Sequence, residues 1–450
     1  MFFILLIPTS YAQEKAALPF AIADEKKLDD DELKEKKEGW FLTGLPQVST
    51  DPVNGTGVGL DGFLYFNGDK SDPFFEYTPY RKKFEIHTFI TNKAEKEIAL
   101  ALDIPYIFES KWRLRIETAF EDNPNLLYFG STAATMNPLN YLGTTQNTYS
   151  SYSNAQDTVR AGNVGEAAFV TDAYLNTYRK QEMILNARME RSIQDGTMRL
   201  VGGIELAKEL ITVFDGQTVN YVDANGNTQS ATAGTSLLSS DATNNGVRGL
   251  GNYIIPMLQF GIVYDTRDLE PDPKRGIFAE VTDEFSIPAI GSTYNFNKAF
   301  FHIKGFTEVL PRVVFAARTG FEISSGSLPF FEYQDAWSTE GSIEGLGGLR
   351  TLRGYKQNRF MAPIMSFSNL ELRYRFGSAS IFDQNLSFMI VPFFDFGRVW
   401  NQLSEVGLGG FRYDEGLGLR IAWNQSTILM FDYAQSIEDQ QFFFNFGHIF

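Results

Sequence analysis

From residue 40 to the end, the chain alternates apolar and polar positions with a period of two, and turn residues separate the alternating runs. This period is typical of β-strands, because successive side chains of a strand point to opposite faces. The pattern predicts about sixteen strands. We place them at residues 40–51, 57–66, 82–92, 97–107, 112–121, 170–193, 198–214, 253–267, 277–290, 296–311, 312–326, 364–376, 386–400, 412–424, 426–436 and 440–450.

The predicted connections differ in length on the two sides of the sheet. Most of those on the side of the chain ends are short, such as Gln194-Asp195-Gly196 and Asn424-Gln425, although 67–81 is an exception. Short turns on one side and long loops on the other are typical of bacterial outer-membrane barrels. The long connections all lie opposite the chain ends, at residues 131–166, 215–252 and 327–363.

Each predicted strand has one apolar and one polar face. In the run 364–376, for example, Leu372 and Tyr374 share one face, while Glu371 and Arg373 share the other. A soluble β-sandwich would show the same alternation. About sixteen strands, however, enclose a lumen wide enough for water, so the polar faces can be hydrated from inside. We therefore predict an all-β fold, a transmembrane antiparallel β-barrel of about 16 strands.

The connection 327–363 is predicted to enter the barrel. A loop of this length within a regular β pattern is uncommon, and it is usually either functional or disordered. This one carries too much apolar surface for a free segment. We expect a long, lumen-inserted sixth outer loop that buries Phe330, Phe331, Tyr333, Trp337, Tyr355 and Phe360.

Composition excludes several classes of function. The net charge of -16 argues against nucleic-acid binding, which needs clustered Lys and Arg. The chain has no Cys, so disulfides and thiol chemistry are excluded. No run of about 18 apolar residues is present, which argues against a helical membrane span. No cofactor and no metal site is expected.

The beginning of the chain is predicted to be an exported segment. Phe2 to Pro8 is apolar and precedes Ser10-Tyr11-Ala12, which resembles a signal-peptidase site, so residues 1–12 are interpreted as a signal-peptide remnant. Residues 13–39 are interpreted as a charged periplasmic tail without a fold of its own, because 24–38 is almost wholly charged. The barrel is assigned to residues 40–450.

The last run is predicted to close the barrel. A membrane barrel has no free edge, so the last strand must pair with the first. The ending resembles the recognition signal of outer-membrane barrels, with His448 as an atypical member. The residues that share one face of this run are Phe442, Phe444, Phe446, His448 and Phe450.

An ordered set of motifs resembles the BamA/TamA superfamily of outer-membrane assembly factors, also called bacterial surface antigens. The resemblance is strongest over residues 253–450. Several motifs in the correct order are more specific than any single one. They are Tyr264-Asp265-Thr266-Arg267-Asp268 with Pro273 and Gly276, Arg353-Gly354-Tyr355, Glu371 in the run 369–374, Asp395 in the run 392–400, Tyr413-x-x-Gly416-x-Gly418-Leu419-Arg420, and Phe431-Asp432-Tyr433-Ala434.

The resemblance implies that Arg353 folds back into the lumen and pairs with acidic residues of the wall. Strand alternation agrees, since Glu371 and Asp395 both fall on polar faces, and a guanidinium fork suits two carboxylates better than Lys does. Gly354 and Tyr355 complete this lumen anchor, with Gly354 at a turn where a side chain would clash. Arg353 either acts only by pinning the loop, or contributes to function through the pinned shape.

Two other acidic stretches have a structural and a chemical interpretation. The segment with Asp265, Arg267 and Asp268 could form a metal or catalytic site, but its prolines and Gly276 favour a rigid turn. Asp223-Ala224-Asn225-Gly226-Asn227 resembles the start of a calcium loop, yet it lacks the Gly at position six and the Glu at position twelve. Asn-Gly favours a tight hairpin turn there, and also at Asn54-Gly55.

The histidines do not support an enzyme. Only His87, His302 and His448 could act as imidazole bases. None lies in a Gly-x-Ser-x-Gly motif, and no two have the spacing of metal ligands. We expect barrel-wall roles for most of them and no enzymatic activity.

The resemblance implies a role in outer-membrane protein insertion or translocation. Assembly factors of the superfamily carry periplasmic POTRA domains before the barrel, and the 27 residues from 13 to 39 are too few for one, so a barrel-only member is expected. The partners implied are the outer-membrane bilayer, the barrel assembly machinery during biogenesis and a separate periplasmic subunit. The alternative is a passive pore or a surface-exposed structural antigen, whose long loops 131–166 and 215–252 meet the outside.

Overall fold

The fold is one sheet of sixteen antiparallel strands that follow one another in chain order. The structure is a computed structural model, and it describes residues 17–51, 53–141, 144–160, 174–222, 225–381, 384–423 and 427–450. The strands are β1 (Trp40–Asp51), β2 (Gly55–Phe66), β3 (Lys82–Thr91), β4 (Lys96–Ile104), β5 (Trp112–Leu127), β6 (Thr177–Ile193), β7 (Met198–Val213), β8 (Gly251–Asp265), β9 (Gly276–Ser286), β10 (Asn295–Leu310), β11 (Val313–Ser327), β12 (Ile364–Ile381), β13 (Gln384–Trp400), β14 (Arg412–Trp423), β15 (Thr427–Ser436) and β16 (Gln440–Phe446).

Short elements decorate the connections. Three small hairpins pair Leu139–Tyr141 with Thr144–Gln146, Thr218–Val222 with Thr228–Thr232, and Asp335–Ala336 with Ile343–Glu344. Helices in the described ranges are α1 (Asp30–Glu35), α2 (Tyr149–Arg160) and α3 (Leu237–Asn244), with 3-10 turns at Asp24–Lys26, Ile107–Glu109, Ala133–Met136, Gln194–Gly196, Pro288–Ile290, Phe330–Gln334 and Leu403–Glu405. None of the helices described is long and apolar enough to cross a membrane.

Each of the sixteen predicted runs coincides with one strand, so the prediction of an all-β antiparallel barrel is confirmed. The hairpin predicted around Asn225-Gly226 is also present. The largest differences are at strand ends. Strand β5 continues to Leu127 instead of ending at residue 121. The signal-peptide remnant 1–12 and the turn Asn424-Gln425 lie outside the described residues.

The predicted inside-out arrangement of faces is present in the strands. On β12, Leu372 and Tyr374 are 40% and 44% exposed, while Glu371 and Arg373 are buried on the lumen side. An apolar face exposed around a whole barrel far exceeds the patches that soluble monomers tolerate. Lipid on the outside and polar groups within account for both faces.

The edges of the sheet, β1 and β16, form a seam without a ladder of backbone hydrogen bonds between them in the described residues. The barrel is nearly closed, and side chains bridge the gap. The hydroxyls of Thr43 on β1 and Thr427 on β15 are 2.8 Å apart. The rings of Phe63 on β2 and Phe446 on β16 have centroids 5.2 Å apart. Side chains therefore hold this edge, where every other strand boundary has a ladder.

Residues 17–39, which we call the strap, run along the turns on the side of the chain ends. Ile22 and Leu28 are buried. The Nζ of Lys36 donates to the carbonyls of Phe75 and Thr78 at 2.5 Å, and burial lowers the pKa of Lys36 to about 7. The sequence suggests a charged tail without a fold of its own, but the segment is packed: Lys36 donates to two carbonyls, and Ile22 and Leu28 are buried.

The strap also explains why the connection 67–81 is long on a side of short turns. This connection provides the surface on which the strap packs. The ring of Phe20 lies 5.6 Å from that of Phe74, and the Leu28 N–H donates to the carbonyl of Glu76. A second contact reaches the end of β8, where Lys26 Nζ lies 3.0 Å from Asp265 Oδ1.

The connection between β11 and β12, residues 328–363, is loop 6 and fills much of the lumen. Five of its six aromatic residues are buried, with Phe330 and Phe360 at 0% exposure, and Tyr333 is partly buried. The first part packs on the wall formed by β5 to β8, and the second part packs on β10, β12 and β13. The apolar surface of the loop thus lies inside the barrel.

Candidate functional site

Arg353 of loop 6 lies at the centre of a buried charge cluster. Its guanidinium bonds Asp395 with two nitrogens, Nε to Oδ2 at 2.7 Å and Nη2 to Oδ1 at 2.8 Å. Its Nη1 reaches Glu371 Oε1 and Asp432 Oδ2, both at 2.9 Å. All four side chains are fully buried. The predicted residues Arg353, Glu371 and Asp395 therefore meet, and Asp432 joins them.

Strand register brings these carboxylates together. Glu371 is on β12 and Asp395 on β13, and the ladder between these strands sets Asn369 opposite Asp395. The Asn369 amide donates to Asp395 Oδ1 at 2.8 Å, which fixes the carboxylate. The Arg353 guanidinium lies over the Phe393 ring, 3.4 Å from its centroid. A planar cation is thus held by carboxylates at its edge and an aromatic face below it.

Two further arginines balance the carboxylates. Arg373 Nε bonds Glu371 Oε2 at 2.9 Å, and Arg420 Nη2 bonds Asp432 Oδ2 at 3.0 Å. Three guanidinium groups therefore face three carboxylates. We call this cluster the Arg353 anchor; its members are Arg353, Arg373, Arg420, Glu371, Asp395 and Asp432.

Gly354 and Tyr355 complete the tip of the loop. A Cβ at position 354 would lie 2.5 Å from the Cβ of Asp414, so the wall leaves no room for a side chain. The predicted steric conflict at position 354 is therefore present. Its cause is the close approach of the wall, since the backbone of Gly354 is not left-handed. Tyr355 is buried and makes an edge contact with Phe360 at 5.1 Å. At these two residues the loop tip packs closely against the barrel wall.

A second anchor has the opposite polarity, and the sequence patterns do not predict it. Here the loop provides a carboxylate, Glu340, and the wall provides cations. Arg267 and Lys304 both contact Glu340. Arg267 lies in the turn after β8, so loop 6 extends through the lumen to the turn side of the barrel. We call Glu340, Arg267 and Lys304 the Glu340 anchor.

Glu280 of β9 fixes the loop backbone next to the Glu340 anchor. Its Oε2 accepts from the Thr339 N–H at 3.0 Å, and its Oε1 accepts from the Ser338 hydroxyl at 2.5 Å. His302 of β10 also contacts this carboxylate, with Nδ1 at 2.8 Å. A single inward glutamate therefore holds two consecutive loop residues.

A third contact closes the loop side of the barrel. Arg359 of loop 6 bonds Glu438, between β15 and β16, with Nε–Oε1 at 2.6 Å and Nη2–Oε2 at 3.0 Å. The same guanidinium donates to the carbonyls of Thr135 and Asn137 in the connection after β5, at 2.7 and 2.9 Å. Three outer connections are thereby joined at one cation.

Loop 6 leaves a cavity of about 760 Å³ beside β2 to β6. The wall here is polar, and it includes Asp61, His87 and Arg188. Gly341 of loop 6 borders this cavity next to the Glu340 anchor. The lumen therefore has one packed half, around Arg353, and one half with space for water or solutes.

The other candidate residues have structural partners. Asp268 Oδ1 accepts the N–H groups of Leu269 and Lys274 at 3.0 Å, as expected for a rigid turn. His87 Nδ1 lies 2.6 Å from Asp61, and His448 Nε2 lies 3.2 Å from Asp272. Over the ranges that the structure covers, no group of three or more His, Asp or Glu could hold a metal ion.

The C-terminal aromatic set divides into two parts. Phe442, Phe444 and Phe446 lie on β16, and Phe442 is 68% exposed on the outer face. The strand ends at Phe446, and Gly447 turns the chain with φ of +85°. Phe450 is then buried against Phe306 inside the barrel. The prediction of one face through residue 450 is wrong, because this glycine turn ends the strand.

Comparison with known proteins identifies two matching families. The model of the Omp85 superfamily domain matches residues 83–450. A domain of unknown function (DUF5982) matches residues 18–81, which include the strap and the turn beneath it. No curated protein sequence matches the chain.

Two solved structures are similar to the chain. CdiB from Escherichia coli is 10% identical with a TM-score of 0.50, over 91% of this chain and 62% of its own. BamA from Haemophilus ducreyi, in a structure lacking POTRA domains 1-3, is 14% identical with a TM-score of 0.48, over 92% of this chain and 70% of its own. The chain thus spans less than two thirds of CdiB. The likeness to CdiB supports the barrel fold.

Proposed function

The chain belongs to the Omp85 superfamily, and we propose that it acts in the insertion of proteins into the bacterial outer membrane or in their translocation across it. Omp85 family proteins such as BamA and CdiB are non-enzymatic insertion or transport factors of this membrane, so the expected location and the expected lack of enzymatic activity are confirmed. In this proposal, residues 40–450 form the barrel and residues 13–39 a periplasmic segment.

The observation that carries the proposal is the seam between β1 and β16. Each of the other fifteen strand boundaries has a backbone ladder, whereas this one has side-chain contacts in the described residues. Opening the seam therefore breaks few hydrogen bonds, and it exposes two strand edges to which another β-strand can pair. A client strand could then enter the membrane laterally.

The two anchors of loop 6 support lateral opening over passage through the lumen. Arg353 and Glu340 hold loop 6 to the barrel wall at two separate places. A passive pore needs a continuous water path, and the pinned loop obstructs it. In this proposal Arg353 acts by pinning, and the function follows from the shape that results.

Locking the seam tests the proposal directly. The chain contains no Cys, so an introduced pair has no competing thiol. The side chains of Thr43 and Thr427 meet at the seam with hydroxyls 2.8 Å apart, so Thr43→Cys and Thr427→Cys would bring two thiols together there. In proteoliposomes, the oxidised variant should lose the acceleration of folding of a urea-unfolded outer-membrane barrel protein. Reduction should restore it.

A matched control separates the lock from the mutations. Thr319 on β11 and Ser368 on β12 also have hydroxyls 2.9 Å apart, but they join strands with a complete ladder. Thr319→Cys with Ser368→Cys should leave activity unchanged when oxidised. A locked seam with full activity would overturn lateral opening.

Conductance tests the alternative of a passive pore. The purified protein in a planar bilayer should show only small, brief openings, because loop 6 obstructs the lumen. A large and steadily open channel would support a passive pore and contradict the proposal. Co-purification of a periplasmic protein with the barrel would identify the partner that the proposed function implies.

A further inference from the structure

Arg188 is a buried cation that forms no ion pair among the described residues. It lies on the inner face of β6 and is 8% exposed. Its Nε is buried without a hydrogen-bond partner, and no ion pair involves Arg188 in the part of the chain that the structure describes. A buried charge that lacks a partner is costly, so natural proteins pair such groups or place a ligand there.

A second arginine lies beside Arg188 on the neighbouring strand. The register of β5 and β6 sets Arg115 directly opposite Arg188, and both side chains point into the lumen. Like charges at directly opposed positions are destabilising. An anion between the two guanidinium groups would remove this repulsion and satisfy the free donors of Arg188.

The neighbouring carboxylates are already paired with other arginines. Asp103 lies 2.7 Å from Arg113 and 3.2 Å from Arg115. Glu190 lies 3.3 Å from Arg115 and 3.2 Å from Arg199. These carboxylates are therefore shared between other cations, and neither of them forms an ion pair with Arg188.

Two further groups define the composition of the site. Glu270 lies 3.0 Å from Arg113 and 3.3 Å from Arg199, so it is also shared. Glu117 lines the same cavity but forms no ion pair in the described ranges. It is exposed to the cavity, where water screens its charge. The Arg188 Nε therefore remains a buried donor without a hydrogen-bond partner beside this cavity.

The site has space for a ligand. Arg188 and Arg115 line the cavity of about 760 Å³, which is many times larger than a single water molecule. The position opposite Arg188 on β7 is Gly203, so no side chain from that position covers the guanidinium. Arg115 also donates to the carbonyl of Thr339 in loop 6, which places the site beside the loop.

We propose that Arg188 and Arg115 form an oxyanion site in the lumen that takes a soluble phosphate group. Two planar guanidinium groups provide forks of donors that match the tetrahedral oxygens of phosphate. Arg188 supplies the unpaired charge, and Arg115 supplies the second side of the site. The site lies outside the Arg353 anchor and does not depend on the proposed function.

Phosphate binding to the purified full-length protein tests the proposal. Inorganic phosphate is titrated into the protein in detergent micelles by calorimetry, and thermal unfolding is followed in parallel. Wild-type protein should bind saturably and unfold at a higher temperature with phosphate. Arg188→Gln should weaken binding at least about tenfold, since it removes a charged bidentate donor. Arg188→Lys should retain part of the affinity.

The control is Arg191→Gln on the same strand. Arg191 is on the outer face, over the Trp112 ring at 5.3 Å, so its loss should not change phosphate binding. In phosphate-free buffer, Arg188→Gln should fold at least as well as wild type, because it removes an uncompensated charge. If Arg188→Gln does not fold, phosphate binding is compared between wild type and Arg188→Lys instead.

Two outcomes would overturn the site. One is wild-type protein that neither binds phosphate nor gains thermal stability from it. The other is equal binding by wild type and the Arg188 variants, which would indicate an adventitious ion only. Weakened binding in Arg188→Gln, with unchanged binding in Arg191→Gln, would establish the site.

Discussion

The Arg353 anchor and the Glu340 anchor hold the same loop with opposite charges. At the first, a loop cation enters a wall of carboxylates, and every charged group is fully buried. At the second, a loop carboxylate enters a wall of cations beside the cavity, and the Glu340 side chain is 20% exposed. The contacts are similar in kind, but one lies in a packed region and the other borders water.

This difference determines how much each anchor contributes. In a dry region, removing one partner leaves the others as unpaired buried charges, which is strongly destabilising. Beside a hydrated cavity, water and salt compensate much of the loss. We therefore expect the Arg353 anchor to dominate the stability of the pinned loop, and the Glu340 anchor to adjust it.

Arg353→Ala should have the largest effect. It leaves Asp395, Glu371 and Asp432 with two guanidinium groups instead of three, and loss of one partner of a buried cluster costs about 3 to 5 kcal/mol. The urea concentration at which the compact, heat-resistant form disappears from a gel should fall accordingly. Folding of the barrel should also be slower.

Arg350→Ala is the matched control for this change. Arg350 lies three residues earlier in the same loop and is exposed, with Nη1 donating to the Ser342 carbonyl at 3.3 Å. Its removal should change stability by no more than about 0.5 kcal/mol. Equal effects of the two substitutions would show that the Arg353 anchor does not hold the loop.

Double-mutant cycles should show coupling within an anchor and additivity between anchors. Arg353→Ala combined with Asp395→Asn, or with Glu371→Gln, should deviate from additivity by about 0.5 to 3 kcal/mol, because the groups share hydrogen bonds. Arg353→Ala combined with Glu340→Gln should add within about 0.5 kcal/mol, since the two anchors have no partner in common. Strong coupling between the anchors would mean that they form one unit.

Of the two anchor substitutions, Glu340→Gln should have the smaller effect, about 1 to 2 kcal/mol in low salt. It leaves Arg267 and Lys304 without a loop carboxylate, but the cavity can hydrate them. Thermal unfolding at low and high salt provides the measurement. Salt should narrow the difference between wild type and Glu340→Gln, while the effect of Arg353→Ala stays nearly constant. An equal response to salt would remove the distinction between a dry and a wet anchor.

The strands could be predicted from the sequence because the period of two follows directly from the alternation of side chains between the two faces of a strand. The same alternation predicted that Glu371 and Asp395 point inward. It could also have identified Asp432, which lies on the inner face of β15 between Met430 and Ala434. Its partner Arg420 follows in the same way from the inner face of β14.

The Glu340 anchor could not be predicted by this route. Glu340 lies in an irregular segment whose path depends on the packing of Trp337 and on backbone bonds to Glu280. No periodicity indicates which wall residue such a segment meets. The strap was misjudged for a related reason, because composition describes the average charge of 24–38 and does not show that Lys36 finds two carbonyl acceptors.

The order of the anchors along the chain ties two halves of the barrel together. Arg267 and Lys304 precede Glu340, whereas Glu371, Asp395 and Asp432 all follow Arg353. One end of the segment between Glu340 and Arg353 is therefore held by residues encoded before the loop, and the other end by strands encoded after it. Loop 6 acts as a cross-link between the two parts of the chain, so both anchors are complete only in a barrel whose early and late strands are both in place.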